Sequence, residues 1–142
     1  MRNEKLALLV NALKKQVSPE KFNISVFAVQ GNRIVRFSEL NPQDFMVGGE
    51  CGCALAWYKI LINPKLEFED LDKEFGTEFS IVSRFFLGGC IVTALDGNEY
   101  PIRICKKETT LYEWINAVEA WLDGGQITHY PSSTGAFRFL EA

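Results

Sequence analysis

Residues 90–122 read CIVTALDGNEYPIRICKKETTLYEWINAVEAWL and contain the two strongest secondary-structure patterns of the chain. Residues 90–95 and 100–105 are β-rich runs on either side of Asp96-Gly97-Asn98, a combination typical of a β-hairpin. Because Pro101 has no backbone N–H, its strand is expected at a sheet edge. This half of the stretch predicts an antiparallel pair of strands.

The other half of the stretch predicts a helix over residues 110–122. Thr110 and Glu113 have the spacing of a capping box, and Gly124-Gly125 follows as a stop. Apolar residues recur at helical spacing along one wide face. They are Leu111, Trp114, Ile115, Val118, Trp121 and Leu122.

The preceding part of the chain supplies further helices and strands. Residues 6–17 have apolar side chains at helical spacing, and residues 24–37 have the pattern of a second hairpin. Residues 50–62 are rich in Ala, Leu and aromatics and predict a mostly buried helix, whereas residues 79–87 fit a helix or a strand. We therefore predict an α+β fold, with three or four helices packed on a small, mainly antiparallel sheet.

The composition excludes several functional classes. With 142 residues and a net charge of −3, the chain suits a single domain and does not favour a nucleic-acid partner. It contains no apolar run of the ~20 residues needed to span a bilayer, and its first residues do not form a signal peptide. We expect a cytoplasmic protein without a membrane partner, whose cysteines are thiols.

Residues 126–142 are predicted to form a C-terminal arm of the single domain 1–142. The segment follows the helix stop and lacks a long apolar period, yet it contains Tyr130, Phe137 and Phe139. A simple disordered tail usually has few aromatics. The arm is therefore expected to serve binding or assembly, including assembly into a homo-oligomer.

One motif resembles a family of short, mostly uncharacterised phage and prophage accessory proteins. Residues 51–57, Cys-Gly-Cys-Ala-Leu-Ala-Trp, match its central Cys-Gly-Cys stretch opening an Ala-rich helix, although Ala56 replaces the usual glycine. Residues 3–13 match its first helix and residues 21–25 its Phe signature, with Ile24 in place of methionine. The resemblance implies a phage-accessory origin, hence a location in the host cytoplasm, and it implies no mechanism.

The cysteines are the first candidates for chemistry. Cys51 and Cys53 could bind a metal together with Cys90, Cys105 or His129. Zinc sites usually use the wider Cys-x-x-Cys spacing, and no second paired motif is present. Because free cysteines are often buried as small apolar residues, we expect no metal and no cofactor.

A cysteine-dependent hydrolase is the second possibility. Cys51 at a helix N-terminus would have a lowered pKa, and His129, the only histidine of the chain, would be its base. His129 lies in the predicted arm, however, and a surface histidine is the favoured interpretation. The sequence therefore favours a protein that is not an enzyme and assigns no catalytic residue.

A glycine-rich segment is the third candidate. Gly48, Gly49, Cys51 and Gly52 would expose backbone N–H groups at the start of the helix predicted from residue 50, where anions bind. Glu50 places a carboxylate at the same position and could itself cap that helix. A structural turn is therefore the favoured interpretation of this segment.

The arm supplies the fourth candidate, made of Tyr130, Ser132, Ser133 and Arg138. A stacking ring, two hydroxyls and a guanidinium could bind a small anionic or nucleotide-like ligand. The same residues could instead pack on a neighbouring subunit.

The sequence thus favours a small phage-type accessory protein that inhibits a host protein by binding it. Counter-defence is the setting that the resemblance suggests. Inhibition by binding predicts an exposed apolar or acidic patch and no deep pocket. An oligomer that sequesters a nucleotide-like ligand predicts a polar pocket with Arg and aromatic groups, and a small cysteine hydrolase predicts Cys51 near His129 in a cleft.

Overall fold

The computed structural model describes residues 2–24, 27–86, 89–103 and 109–129. Its helices and strands are interspersed along the chain. The α-helices are α1 (Glu4–Gln16), α2 (Pro42–Gly48), α3 (Ala54–Leu61), α4 (Leu71–Phe75), α5 (Phe79–Phe86) and α6 (Leu111–Leu122). The strands are β1 (Ala28–Gln30), β2 (Arg33–Ile34), β3 (Gly49–Gly52), β4 (Cys90–Thr93), β5 (Glu99–Ile102) and β6 (Gln126–His129).

The described strands form two antiparallel sheets of three strands each. The first sheet has the order β2-β1-β3, and the second has the order β5-β4-β6. In the second sheet Val92 of the central strand pairs with Tyr100 on one side and Ile127 on the other. The α+β class and the antiparallel pairing are confirmed, while the strands divide between two sheets instead of forming one.

Side-chain caps define where the two longest helices begin. The Asn3 side chain accepts a hydrogen bond from the Leu6 N–H at the start of α1. Thr110 and Glu113 form the predicted capping box at the start of α6, each side chain accepting from the other residue's N–H. These local bonds satisfy helix N–H groups that otherwise have no partner in the helix.

The core is built around α6 and the elements that it contacts. This helix packs on β4 and β5, and α1 packs against both α6 and α3. The apolar stripe of α6 faces inward, and Trp114 is fully buried. Buried side chains from all six described α-helices join the same apolar cluster.

Tertiary contacts decide the structure of two segments whose local sequence pattern was misleading or ambiguous. The helix predicted from residue 50 begins only at Ala54, because residues 49–52 pair with β1 as strand β3. The ambiguous residues 79–87 include the helix α5, whose buried Val82, Phe85 and Phe86 have helical spacing.

The predicted C-terminal arm is corrected at its start. Residues 126–129 form β6 and pair with β4, so they belong to the second sheet and not to a separate arm. The short β6 lacks the long apolar period that would have marked it as a strand. Residues 130–142 lie outside the described residues.

Candidate functional site

A groove lies between the turn that joins β4 to β5 and the exposed side of α6. It has a volume of about 460 Å³. Half-buried and exposed side chains of both elements line it, and we call it the acidic groove. The lining residues are Ala94, Leu95, Asp96, Tyr100, Asn116, Glu119, Ala120 and Asp123.

The β4–β5 turn holds an apolar side chain in solvent at one edge of the groove. Backbone bonds from Ala94 to Asn98 and from Gly97 to Ala94 close the turn, and Gly97 has a φ of 90° that favours glycine. The Asp96 carboxylate accepts a hydrogen bond from the Asn98 N–H. This geometry leaves Leu95 80% exposed, although burial of a leucine is strongly favourable.

Gly125 fixes the end of α6 against β4 and so sets the distance between the two walls of the acidic groove. A Cβ atom at this position would lie 2.8 Å from both the Ala120 and the Thr93 carbonyl oxygens. Since both neighbours are backbone atoms, a side chain would force the helix end away from the strand. The close approach therefore requires glycine.

The acidic groove has an unfavourable concentration of negative charge. Asp96, Glu119 and Asp123 contribute three carboxylates, and the last turn of α6 contains no basic residue. Acids at a helix C-terminus oppose the helix dipole, which typically costs 0.3–1 kcal/mol per charge. At Asp123, the C-cap of the helix, the protein thus retains a charge that the helix dipole does not favour.

Two cations from the N-terminal part of the chain already bind at this end of α6. Arg2 donates to the Trp121 and Gly125 carbonyl oxygens at 2.7 and 2.8 Å. Lys14 Nζ lies 2.6 Å from Glu119 Oε2. Among the described residues, Asp123 forms no ion pair. The end of α6 is therefore a place where cationic groups bind.

A second cluster of ionisable groups lies between α1, α3 and α4. The Tyr58 hydroxyl donates to Glu74 Oε2 at 2.5 Å, and Lys5 Nζ lies 3.6 Å from Glu74 Oε1. Burial raises the pKa of Glu74, but hydrogen bonds from Tyr58 and Asn63 and the charge of Lys5 outweigh it, so the pKa lies below its ordinary value. With three donors around one carboxylate, this cluster fits a structural link between helices.

Glu74 is expected to make stability depend on acidity. Because its folded pKa is lowered, its contribution is complete above the ordinary value of 4.5 and is lost as the pH falls through the lower folded value. We expect Glu74→Gln to lower the free energy of unfolding by about 1.5–3 kcal/mol at neutral pH. The difference from the parent protein should shrink at low pH, as measured by urea unfolding at both acidities.

The exposed Glu69 provides the control for this experiment, since Glu69→Gln should change stability by less than about 0.5 kcal/mol at either pH. An equal loss for Glu74→Gln at neutral and acidic pH would show that the carboxylate charge does not contribute.

The glycine-rich candidate does not form an anion-binding helix start. Gly48 ends α2, while Gly49, Cys51 and Gly52 belong to β3 and pair with β1. A Cβ at Gly52 would lie 3.1 Å from Ala56 Cβ and 3.2 Å from the Phe27 carbonyl oxygen, so this glycine serves close packing. Gly48 thus belongs to a helix and the other three residues to a sheet, so the segment is not a loop that opens a helix.

Glu50, for which capping of that helix was one alternative, instead contacts the β1–β2 turn. Its Oε1 accepts a hydrogen bond from the Asn32 N–H at 3.1 Å, so the carboxylate fastens the β1–β2 turn to β3. Cys53 is the residue at the N-cap of α3.

The cysteine candidates lie in different parts of the fold. Cys51 pairs with Val29 in the first sheet, whereas His129 pairs with Cys90 in the second. Burial raises the pKa of Cys53 to about 11 and that of Cys90 to about 12. Burial, followed by the Glu50 charge, also raises the pKa of Cys51. The three described thiols are thus disfavoured as thiolate nucleophiles or ligands.

The remaining candidates lie outside the described residues. They are Tyr130, Ser132, Ser133 and Arg138, together with Cys105. Within the described ranges, no group of three or more His, Cys, Asp or Glu side chains is arranged to hold a metal ion.

Sequence reasoning missed the acidic groove and its principal residues. One available signal was the acidic pair Glu119 and Asp123, four residues apart at the end of a confidently predicted helix, where basic residues are favourable. The exposed Leu95 had no such signal, because a leucine after a β-rich run looks like part of the strand.

Searches for matching protein families, for related curated proteins and for similar solved structures found none. The resemblance to phage accessory proteins therefore stays a prediction. Among the described residues, no helix combines the length and the apolar character needed to cross a membrane.

Proposed function

We propose that this protein acts by binding another protein, and that the acidic groove docks a basic segment of that partner. One observation carries the proposal: an 80% exposed leucine and three carboxylates line the same groove beside the C-terminal end of α6. Such a surface fits a segment that offers cationic groups together with an apolar side chain. It matches the exposed acidic patch that inhibition by binding predicts.

The charge of the acidic groove distinguishes between the possible partners. Carboxylates repel phosphates, so the groove does not fit a nucleotide-like ligand or a nucleic-acid backbone. Its lining residues offer carboxylates, an amide and a phenol, which can bind cations and form hydrogen bonds. Inhibition of a host protein is the setting that we propose, and the phage origin within it rests on the sequence resemblance alone.

Charge reversal at Asp123 tests the proposal. We expect the parent protein to bind a 12-residue peptide of alternating Lys and Leu, more weakly as salt increases, and not to bind the Glu-Leu counterpart. Asp123→Lys should weaken binding of the Lys-Leu peptide roughly tenfold or more, because it places like charges together in the groove. Isothermal titration calorimetry at low and physiological salt measures both effects.

Glu69→Lys is the matched control, since it makes the same change in net charge at an exposed residue outside the acidic groove. Its effect should stay within about twofold because salt screens distant charges. Equal weakening by the two variants would mean that net charge alone attracts the peptide, and the groove would lose its role.

A further inference from the structure

One carboxylate of the acidic groove, that of Glu119, is paired with a cation of the protein itself. Lys14 of α1 holds its Nζ 2.6 Å from Glu119 Oε2, and both side chains are partly exposed, at 46% and 40%. Glu119 and Asp123 line the groove on one side of α6 and also a smaller depression of about 130 Å³ on the side of α1. Glu119, the acidic partner of the ion pair, thus lies where the two depressions meet.

This ion pair is weak enough to exchange. Exposed pairs of this kind typically contribute 0.2–1 kcal/mol, because water and salt screen them and two long side chains lose freedom. Displacing Lys14 therefore costs little, provided that another cation replaces it at Glu119. The Lys14–Glu119 pair therefore contributes little to the stability of the fold.

The two carboxylates on α6 have a defined spacing. Glu119 and Asp123 are four residues apart on the helix, and residues at this spacing have Cβ atoms ≈ 5–6 Å apart on the same face. In an extended segment, alternate side chains point to one side about 6.5–7 Å apart. Basic side chains at alternate positions of an extended segment can therefore meet both carboxylates together.

We propose that Lys14 is a specificity-determining residue, an internal ammonium group that a partner must displace from Glu119. This inference rests on the proposed function and deepens it. A segment with one basic side chain binds at Asp123 and leaves the Lys14–Glu119 pair intact. An extended segment with two alternating basic side chains exchanges the second one with Lys14, so the groove prefers paired basic residues.

Neutralising Lys14 tests the inference. We expect Lys14→Gln to tighten binding of a capped 12-residue Leu-Ser peptide containing two Lys at alternate positions by roughly three- to fivefold. The same peptide with one Lys should gain less than about twofold, because its cation does not need Glu119. Titration calorimetry with both peptides on the parent and variant proteins gives the four affinities required.

Lys15→Gln is the matched control, because it removes the same charge from the next residue of α1, which is exposed and forms no ion pair with an acid among the described residues. Its effect on the two-Lys peptide should stay below about 1.5-fold at physiological salt. Equal effects of the two variants, or equal gains for the two peptides, would overturn the role of Lys14. Absence of any binding by the parent protein would instead overturn the proposed function.

Discussion

Trp114→Ala is expected to lower the free energy of unfolding by roughly 3–5 kcal/mol. The indole is fully buried on the inward face of α6, and its Nε1–H donates to the Phe85 carbonyl oxygen at 2.8 Å. Its ring lies against Phe22 and Phe86, with centroid distances of 6.1 and 6.3 Å. Truncation leaves a cavity and removes the donor from a buried carbonyl, and both changes destabilise the folded state.

Urea denaturation of the parent and variant proteins measures this loss. Tyr112→Ala, on the same helix, is the matched control because Tyr112 is 61% exposed. Its stability change should stay within about 0.5–1 kcal/mol. A loss below about 1 kcal/mol for Trp114→Ala would contradict the packing described for α6.

Lys59→Ala should be the second severe substitution, with an expected loss of roughly 3 kcal/mol or more. Lys59 is a buried lysine of α3 whose Nζ donates to the carbonyl oxygens of Phe37 and Leu66 at 3.1 and 2.9 Å. The ammonium also lies 4.5 Å from the centre of the Phe37 ring. Alanine would leave both carbonyls without this donor and empty the volume that the lysine stem fills.

Thermal and urea unfolding should show this loss, whereas Lys15→Ala at an exposed position of α1 should change stability by less than about 0.5 kcal/mol. Burial lowers the pKa of Lys59, with the Glu67 charge opposing that shift, so part of the expected loss is offset by relief of an unfavourable desolvation. If the two alanine variants were equally stable, the contacts of Lys59 with Phe37 and Leu66 would contribute nothing.

The elements that the sequence predicted well are those whose signals are local. The helix over residues 110–122 has its capping box, apolar stripe and glycine stop within one short segment. The β4–β5 hairpin likewise has its turn residues between two β-rich runs, and Pro101 lies on an edge strand as expected. Neither element needs distant contacts to be recognised.

Strand β3 and the burial of Lys59 could not be predicted in this way. β3 has only four residues and is recognised by its pairing with β1, 19 to 24 positions earlier in the chain. Lys59 can be buried because its ammonium group donates hydrogen bonds to carbonyl oxygens of two other segments. The sequence around residue 59 contains no pattern that predicts these contacts.

The acidic groove is formed by elements that the local sequence predicts, but their relative placement depends on distant contacts. Its two walls, the hairpin and α6, were predicted separately, and Asp96, Glu119 and Asp123 were visible as acids. Their convergence depends on the contact of Gly125 with Ala120 and Thr93, which is a tertiary property. Glycine-rich and cysteine motifs, by contrast, are visible within a few consecutive residues, whereas this groove is not.

The contacts of Arg2 have a consequence for the order of folding during synthesis. Its two hydrogen bonds join residues 119 and 123 positions apart, and α1 packs on α6. A ribosome making roughly 5–20 residues per second would expose α1 for several seconds before its partner helix emerges. Because α3 emerges earlier, only the part of α1 that packs on α6 stays uncovered for that time. We therefore expect the nascent chain to need protection from aggregation and to complete its fold only after α6 leaves the exit tunnel.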